Sequence, residues 1–182
     1  IFYVCIGVFL ISIAYSFSFH VKPVVDARGY DNIGWNLARG YGYRESLNVP
    51  FSEDISMVRV GPGYEFFLAG VYKIFGHRYE PVWILQSLFL ALTAYFTYAI
   101  AREIFKGLLQ NRISLGAAAL IGFSPDLITI SAMLMTETLG IFLGVVAIFL
   151  FFKYERDQSQ LWILPLLGTT LAFGIMVRTP LL

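Results

Sequence analysis

The chain has 182 residues, 58% of them hydrophobic and 14% charged, with a net charge of +1 and a mean hydropathy of +0.70. Soluble domains carry about 25% charged residues, so this apolar excess excludes an ordinary water-soluble globule and calls for lipid as solvent. No basic run suggests nucleic acid, and the single cysteine, Cys5, excludes a disulfide framework or a zinc ligand spacing.

A helix needs about 20 mostly apolar residues to cross a bilayer. Residues 1–19 supply the first such run. They lack a basic n-region and a small-residue cleavage site, so they read as a transmembrane helix rather than a signal peptide. The run starts at Ile1, not at Met, and the chain closes at Leu182 in another apolar run; the sequence reads as the N-terminal fragment of a larger membrane protein. A long, charge-rich loop follows over about residues 20–80. Inside it, Asp26–Ala38 spaces Tyr30, Ile33, Trp35, Leu37 and Ala38 as a partly amphipathic helix, which Gly40 and Gly42 are suited to end. Residues 44–58 are polar and are expected to be exposed loop. Pro62–Gly76 is apolar but interrupted by Glu65 and Lys73; it is short for a span and is expected to lie in the membrane interface.

Residues 81–101 form a second uncharged run. Between Ile113 and Phe152 the only charges are Asp126 and Glu137, and the stretch is too long for one helix. Ser124-Pro125-Asp126 divides it, because proline disfavours helical geometry in the residue before it. The expected spans are then 108–123 and 127–152, with a shorter fifth candidate at 161–177 and a sixth starting at Pro180. Gly140 and Gly144 have the GxxxG spacing of closely packed membrane helices. The expected fold class is an all-α integral membrane bundle with a long first loop carrying short interfacial helices. Lysine and arginine in short loops mark the cytoplasmic side. Arg102, Lys106 and Arg112 form one such loop, Lys153 and Arg156 another, two spans apart. Parity then places residues 20–80, the Ser124–Asp126 turn and Arg178 on the extracytoplasmic side.

Chemistry must come from the polar minority. Asp26 follows Pro23 at the mouth of the predicted helix; it reads either as an N-cap or as a general base for an attacking hydroxyl. Asp31 faces the same choice, with a solvated helix face as the simpler reading. Glu137 stands in an otherwise apolar run, where an ionisable group faces a cavity or a partner such as an arginine. Arg59 and Arg178 are planar cations suited to phosphate. Arg59 precedes Gly61-Pro62-Gly63-Tyr64, a turn that sets the approach of the next helix, and Tyr64 is taken with the two arginines as substrate-binding. His20 and His77 are far apart and make no ligand pair. No metal site is expected, and there is no HExxH, GxSxG or Gly-rich nucleotide loop.

These segments, in this order, resemble a known family. They are a first transmembrane helix, DARGYDNIGWNLARGYGY, RVGPGYEFFLAGVYKIFG, YAIAREIF, SPDLITISAMLMTETLGIFL and FGIMVRTP. The chain is similar to the GT-C superfamily of polyprenyl-phosphate-dependent glycosyltransferases, in the branch of protein O-mannosyltransferases and aminoarabinose transferases. The resemblance implies a hexosyl- or pentosyltransferase in a bacterial or archaeal plasma membrane, working at the extracytoplasmic face. Its donor is a polyprenyl-phosphate sugar; its acceptor is a hydroxyl on protein, lipid or polysaccharide, attacked with inversion. Asp26 matches the family's loop aspartate and Glu137 the acid of its fourth helix. Ala27 stands where many members carry a second acid, which leaves open a divalent metal there and a share of the work for Asp31. A transporter or flippase for a lipid-linked sugar is the alternative. It would spread polar groups along a path with repeated broken helices, whereas this chain gathers its acids in one loop.

Overall fold

The computed structural model describes residues 1–54 and 61–178. Arg59 and the sixth candidate span at Pro180 lie outside the described residues. Helices make up the fold, and no strand occurs among the described residues. In chain order they are α1 (Phe2–Phe19), α2 (Asp26–Ala38), α3 (Gly63–Phe75), α4 (Glu80–Ile104), α5 (Gln110–Gly122), α6 (Pro125–Ser131), α7 (Thr136–Arg156) and α8 (Ile163–Val177), with a short 3-10 turn at Phe51–Glu53. Three of them, α1, α4 and α7, are long and apolar enough to cross a membrane. The bent pair α5–α6 makes a fourth if it is taken as one span. Helix α8 has 15 residues, about 22 Å of helix, short of a hydrocarbon core of about 30 Å.

The spanning helices keep apolar side chains on their lipid-facing surfaces and pack through small polar residues. On α1 only Val8, Ser12 and Ser16 are buried, one stripe at four-residue intervals. Ser12 Oγ lies 2.7 Å from both Ser87 Oγ of α4 and Ser131 Oγ of α6. Small side chains let backbones approach closely where lipid offers no hydrophobic drive between helices. Helix α4 is the hub, touching α1, α3, α5, α6 and α7.

The stretch expected as one helix over 127–152 is two. Helix α6 ends at Ser131 and α7 starts at Thr136. The carbonyls freed at the break need partners. Gln86 of α4, fully buried, supplies them: its Nε2 donates to Ser131 O at 2.9 Å and Met133 O at 2.8 Å. Between α5 and α6 the chain bends by 49° at Ser124-Pro125, as the proline implies.

Helices α2 and α3 pack side by side and cap one end of the bundle. Their core joins Tyr30, Tyr64, Leu68 and Tyr72 to Val82 at the start of α4, Leu139 at the start of α7 and Val177 at the end of α8.

Candidate functional site

Asp26 is the first residue of α2 and is exposed. It is not the N-cap; Val25 holds that position, with φ 49° and ψ −117°, and no side chain caps the helix. Positive φ on a β-branched residue costs about 1–3 kcal/mol and is kept only where the surroundings enforce it. Among the described residues, the Asp26 carboxylate has no hydrogen-bond or ion-pair partner. It is free to act on a ligand.

Tyr30 lies one turn further along the same face. Its ring meets Tyr64 edge-on, 5.7 Å between centroids. Burial pushes its hydroxyl up to about 12; Asp26, Glu65 and Glu137 push the same way, and Arg178 opposes them. Tyr30 therefore stays neutral.

Arg178 is positioned through backbone packing. A Cβ at Gly61 would strike the Met176 carbonyl, and one at Gly63 would come within 2.8 Å of Met176 C and Val177 N. The end of α8 thus rests directly on the Gly61-Pro62-Gly63 turn, and the next residue is Arg178. Its guanidinium NH1 lies 2.6 Å from Glu137 Oε1, with the two side chains 40% and 25% exposed. Thr136 Oγ1 donates to Glu137 Oε2 at 3.3 Å. The arginine partner expected for a membrane glutamate is present, and the pair remains open to a ligand.

Below the pair, α7 walls a groove of about 450 Å³ lined by Gly140, Ile141, Gly144, Val145 and Ile148. Of the GxxxG pair, Gly140 is buried against the end of α8, and Gly144 meets no neighbouring helix among the described residues. Among the described residues, nothing lies within 4 Å of a Cβ placed at Gly144, and a Cβ at Gly140 would make ordinary contacts with Arg178 and Val177. Both glycines line the groove, and Gly144 leaves it open. Ile148 lies 11 residues beyond Glu137, so the groove extends about 16 Å along the helix.

The other predicted residues are placed differently. Tyr64 is fully buried and donates to Gln86 Oε1 at 2.8 Å, so it stands behind the site and not on its surface. Asp31 is 5% exposed and not on a solvated face. Its Oδ1 accepts from Tyr72 at 2.7 Å and lies 2.8 Å from His77 Nε2; its Oδ2 accepts from Tyr79 at 2.8 Å. Burial, then Asp31, keeps both tyrosines well above the usual phenol range. Five residues separate Asp31 from Asp26, about 140° around the helix, so the two aspartates work on different faces. Asp31 ties α2 to the α3–α4 junction.

Two residues escaped the sequence reading. Glu65 is 1% exposed; it accepts from the Tyr43 hydroxyl at 3.1 Å through Oε1, while Oε2 is buried without a partner among the described residues. Burial raises its carboxyl above the usual range. Gln86 is the other. An acid inside an apolar helix was the available signal for Glu65, whereas Gln86 gave none, since glutamine in a span is unremarked until the break it serves is known. Among the described residues, no group of three or more His, Cys, Asp or Glu could hold a metal ion.

Comparison with curated proteins and with solved structures finds no match. A family model does match residues 59–182, from the turn before α3 through Glu137 and Arg178, and not the α2 segment with Asp26. That match covers more than half of the chain. The chain belongs to the dolichyl-phosphate-mannose-protein mannosyltransferase family, a family of membrane glycosyltransferases.

Proposed function

We propose that the protein moves a sugar from a polyprenyl-phosphate donor to an acceptor hydroxyl, with inversion, at the extracytoplasmic face. One observation carries this reading: a half-open Glu137–Arg178 pair sits at the mouth of an apolar groove, and the start of α2 adds an exposed Asp26 that has no partner among the described residues. The groove suits an isoprenoid tail and Arg178 suits the phosphate at its head. Glu137 orients the guanidinium until the donor arrives.

In the transfer, the acceptor oxygen bonds to the anomeric carbon from the side opposite the phosphate. Asp26 takes the hydroxyl proton as that bond forms. The bond from carbon to phosphate oxygen breaks, and its electron pair leaves with the lipid phosphate. Arg178 stabilises the charge that develops there, which a low-dielectric surrounding makes more effective than water would. Tyr30 stays neutral in the core one turn beyond Asp26 on α2. A transporter would need the broken helix at 132–135 to carry open carbonyls; those of Ser131 and Met133 are held by Gln86, which favours the enzyme.

The test is incubation of the full-length protein in membranes with labelled polyprenyl-phosphate sugars. Asp26→Asn keeps the shape and removes the base. Transfer is expected to fall by about 10²–10⁴-fold. Turnover near wild type would overturn the assignment of Asp26.

A further inference from the structure

At the end of the bundle away from the candidate site, α4, α5 and α7 border a cavity of about 440 Å³. Arg102, Lys106 and Arg156 line it against a single acid, Glu103. Glu103 is divided between two of them: Lys106 Nζ lies 3.7 Å from Oε2 and Arg156 NH1 lies 3.2 Å from Oε1. Arg102 makes no ion pair among the described residues; its guanidinium lies over the Tyr98 ring, 5.8 Å from the centroid. Two side chains hold the surrounding backbone in place. Lys106 Nζ donates to the Arg102 carbonyl at 2.9 Å and Gln110 Nε2 to the same oxygen at 2.7 Å. The cavity is therefore cationic in excess, with a guanidinium not committed to a carboxylate.

Tyr95 belongs to the wall of this cavity and also to that of a second one. The second is a groove of about 320 Å³ between α1 and α4, with Ile6, Phe9, Leu88 and Leu92 among its walls. A polar, positively charged space thus meets an apolar channel at one tyrosine. Tyrosine is at home at such a boundary, with an apolar ring and a polar tip. A soluble anion would use the first space and leave the second empty. A zwitterionic lipid would fill the second and bring no net charge to the first. Basic pockets between membrane helices recognise anionic headgroups.

We propose that these two cavities form one binding site for an anionic phospholipid. Its phosphate sits among Arg102, Lys106 and Arg156, and one acyl chain lies in the α1–α4 groove. The site is about 28 Å from the Glu137–Arg178 pair, judged by the 19 residues of α7 that separate Glu137 from Arg156. It does not depend on the proposed transfer reaction.

The experiment is native mass spectrometry of the full-length protein in detergent, with phosphatidylglycerol or phosphatidylcholine of matched chains. Phosphatidylglycerol is expected to be retained at least about tenfold better. The Arg102→Gln/Arg156→Gln pair should weaken its retention about fivefold per cation removed. Arg112→Gln, an exposed charge outside the cavity, should leave retention unchanged. Leu92→Trp fills the groove without touching the cations and should also weaken retention, which keeps the idea testable if the arginine pair is poorly folded. Equal retention of the two lipids, or retention indifferent to both the arginine pair and Leu92→Trp, would overturn the proposal. So would displacement by glycerol phosphate as effective as displacement by the lipid itself, since that outcome means an anion site alone.

Discussion

Glu65 shows how one residue's charge is set by its surroundings. It is almost fully buried, one oxygen is hydrogen-bonded to Tyr43 and the other has no partner among the described residues. An ionised carboxylate there loses water without full compensation, so the neutral acid is favoured and its pKa is raised. The native state then binds a proton more tightly than the unfolded chain does. Stability from this group is fully present below the ordinary carboxylate value, about 4.3, and is lost as pH rises through the raised native value. Glu65→Gln carries the same shape without the titration. Melting temperatures of the two proteins should therefore separate as pH rises from that ordinary value, the wild type falling behind; curves that stay parallel would show that Glu65 does not titrate there. The Glu137–Arg178 pair behaves otherwise. Both side chains are partly exposed, and such pairs contribute only about 0–1 kcal/mol. Glu137→Gln should leave melting almost unchanged and reduce transfer several-fold by freeing the guanidinium to wander. Wild-type kinetics in that variant would reduce Glu137 to a packing role.

At the scale of elements, the site depends on how closely α8 approaches the turn before α3. No side chain fits between Gly63 and the Met176–Val177 backbone. Gly63→Ala should push the end of α8 away, carry Arg178 off Glu137, cost about 1–3 kcal/mol and depress transfer together with stability. Gly70→Ala in the middle of α3 meets nothing within 4 Å and should be neutral or stabilising by up to about 1 kcal/mol. Thermal melts of the pair separate a specific contact from a general effect of methyl groups on glycine; two equal melts would remove the contact from the argument. The same elements show what a sequence can disclose. Helix α2 was legible over Asp26–Ala38 because its apolar spacing and flanking glycines are local signals. So were the division at Ser124-Pro125 and the need of Glu137 for a partner. The break at 132–135 was not, since SAMLM contains neither proline nor glycine; Gln86, from 45 residues earlier, makes it affordable. Asp31 was misread for the same reason. Tyr72, His77 and Tyr79, which turn it from a solvated residue into a buried tie, are more than 40 residues away. Local periodicity reports which face of a helix is apolar, but not which distant side chain will satisfy a polar atom on it.

At the scale of the whole molecule, the two ends of the bundle carry different polar groups. One end holds α2, α3, Asp26, Glu65 and the Glu137–Arg178 pair; the other holds Arg102, Lys106 and Arg156 with Glu103. The α7 segment between them, about 28 Å from Glu137 to Arg156, matches the hydrocarbon thickness of a bilayer. The carboxylates of the first group would work where a lipid-borne phosphate lies at the water boundary. The cations of the second would face the cytoplasm under the usual bias of short loops. In the proposed orientation, residues 20–54 lie outside the cell. Ser52, in the 3-10 turn of that loop, is exposed. A cysteine there, in a chain whose Cys5 is replaced by serine, should react with a membrane-impermeant maleimide on intact cells. A second cysteine at Lys106 should react only after the membrane is opened, because it lies at the other end of α4. The reverse pattern would turn the bundle over, put Asp26 in the cytoplasm and require a donor whose sugar faces inward; labelling of both positions on intact cells would show that the chain does not cross the membrane between them.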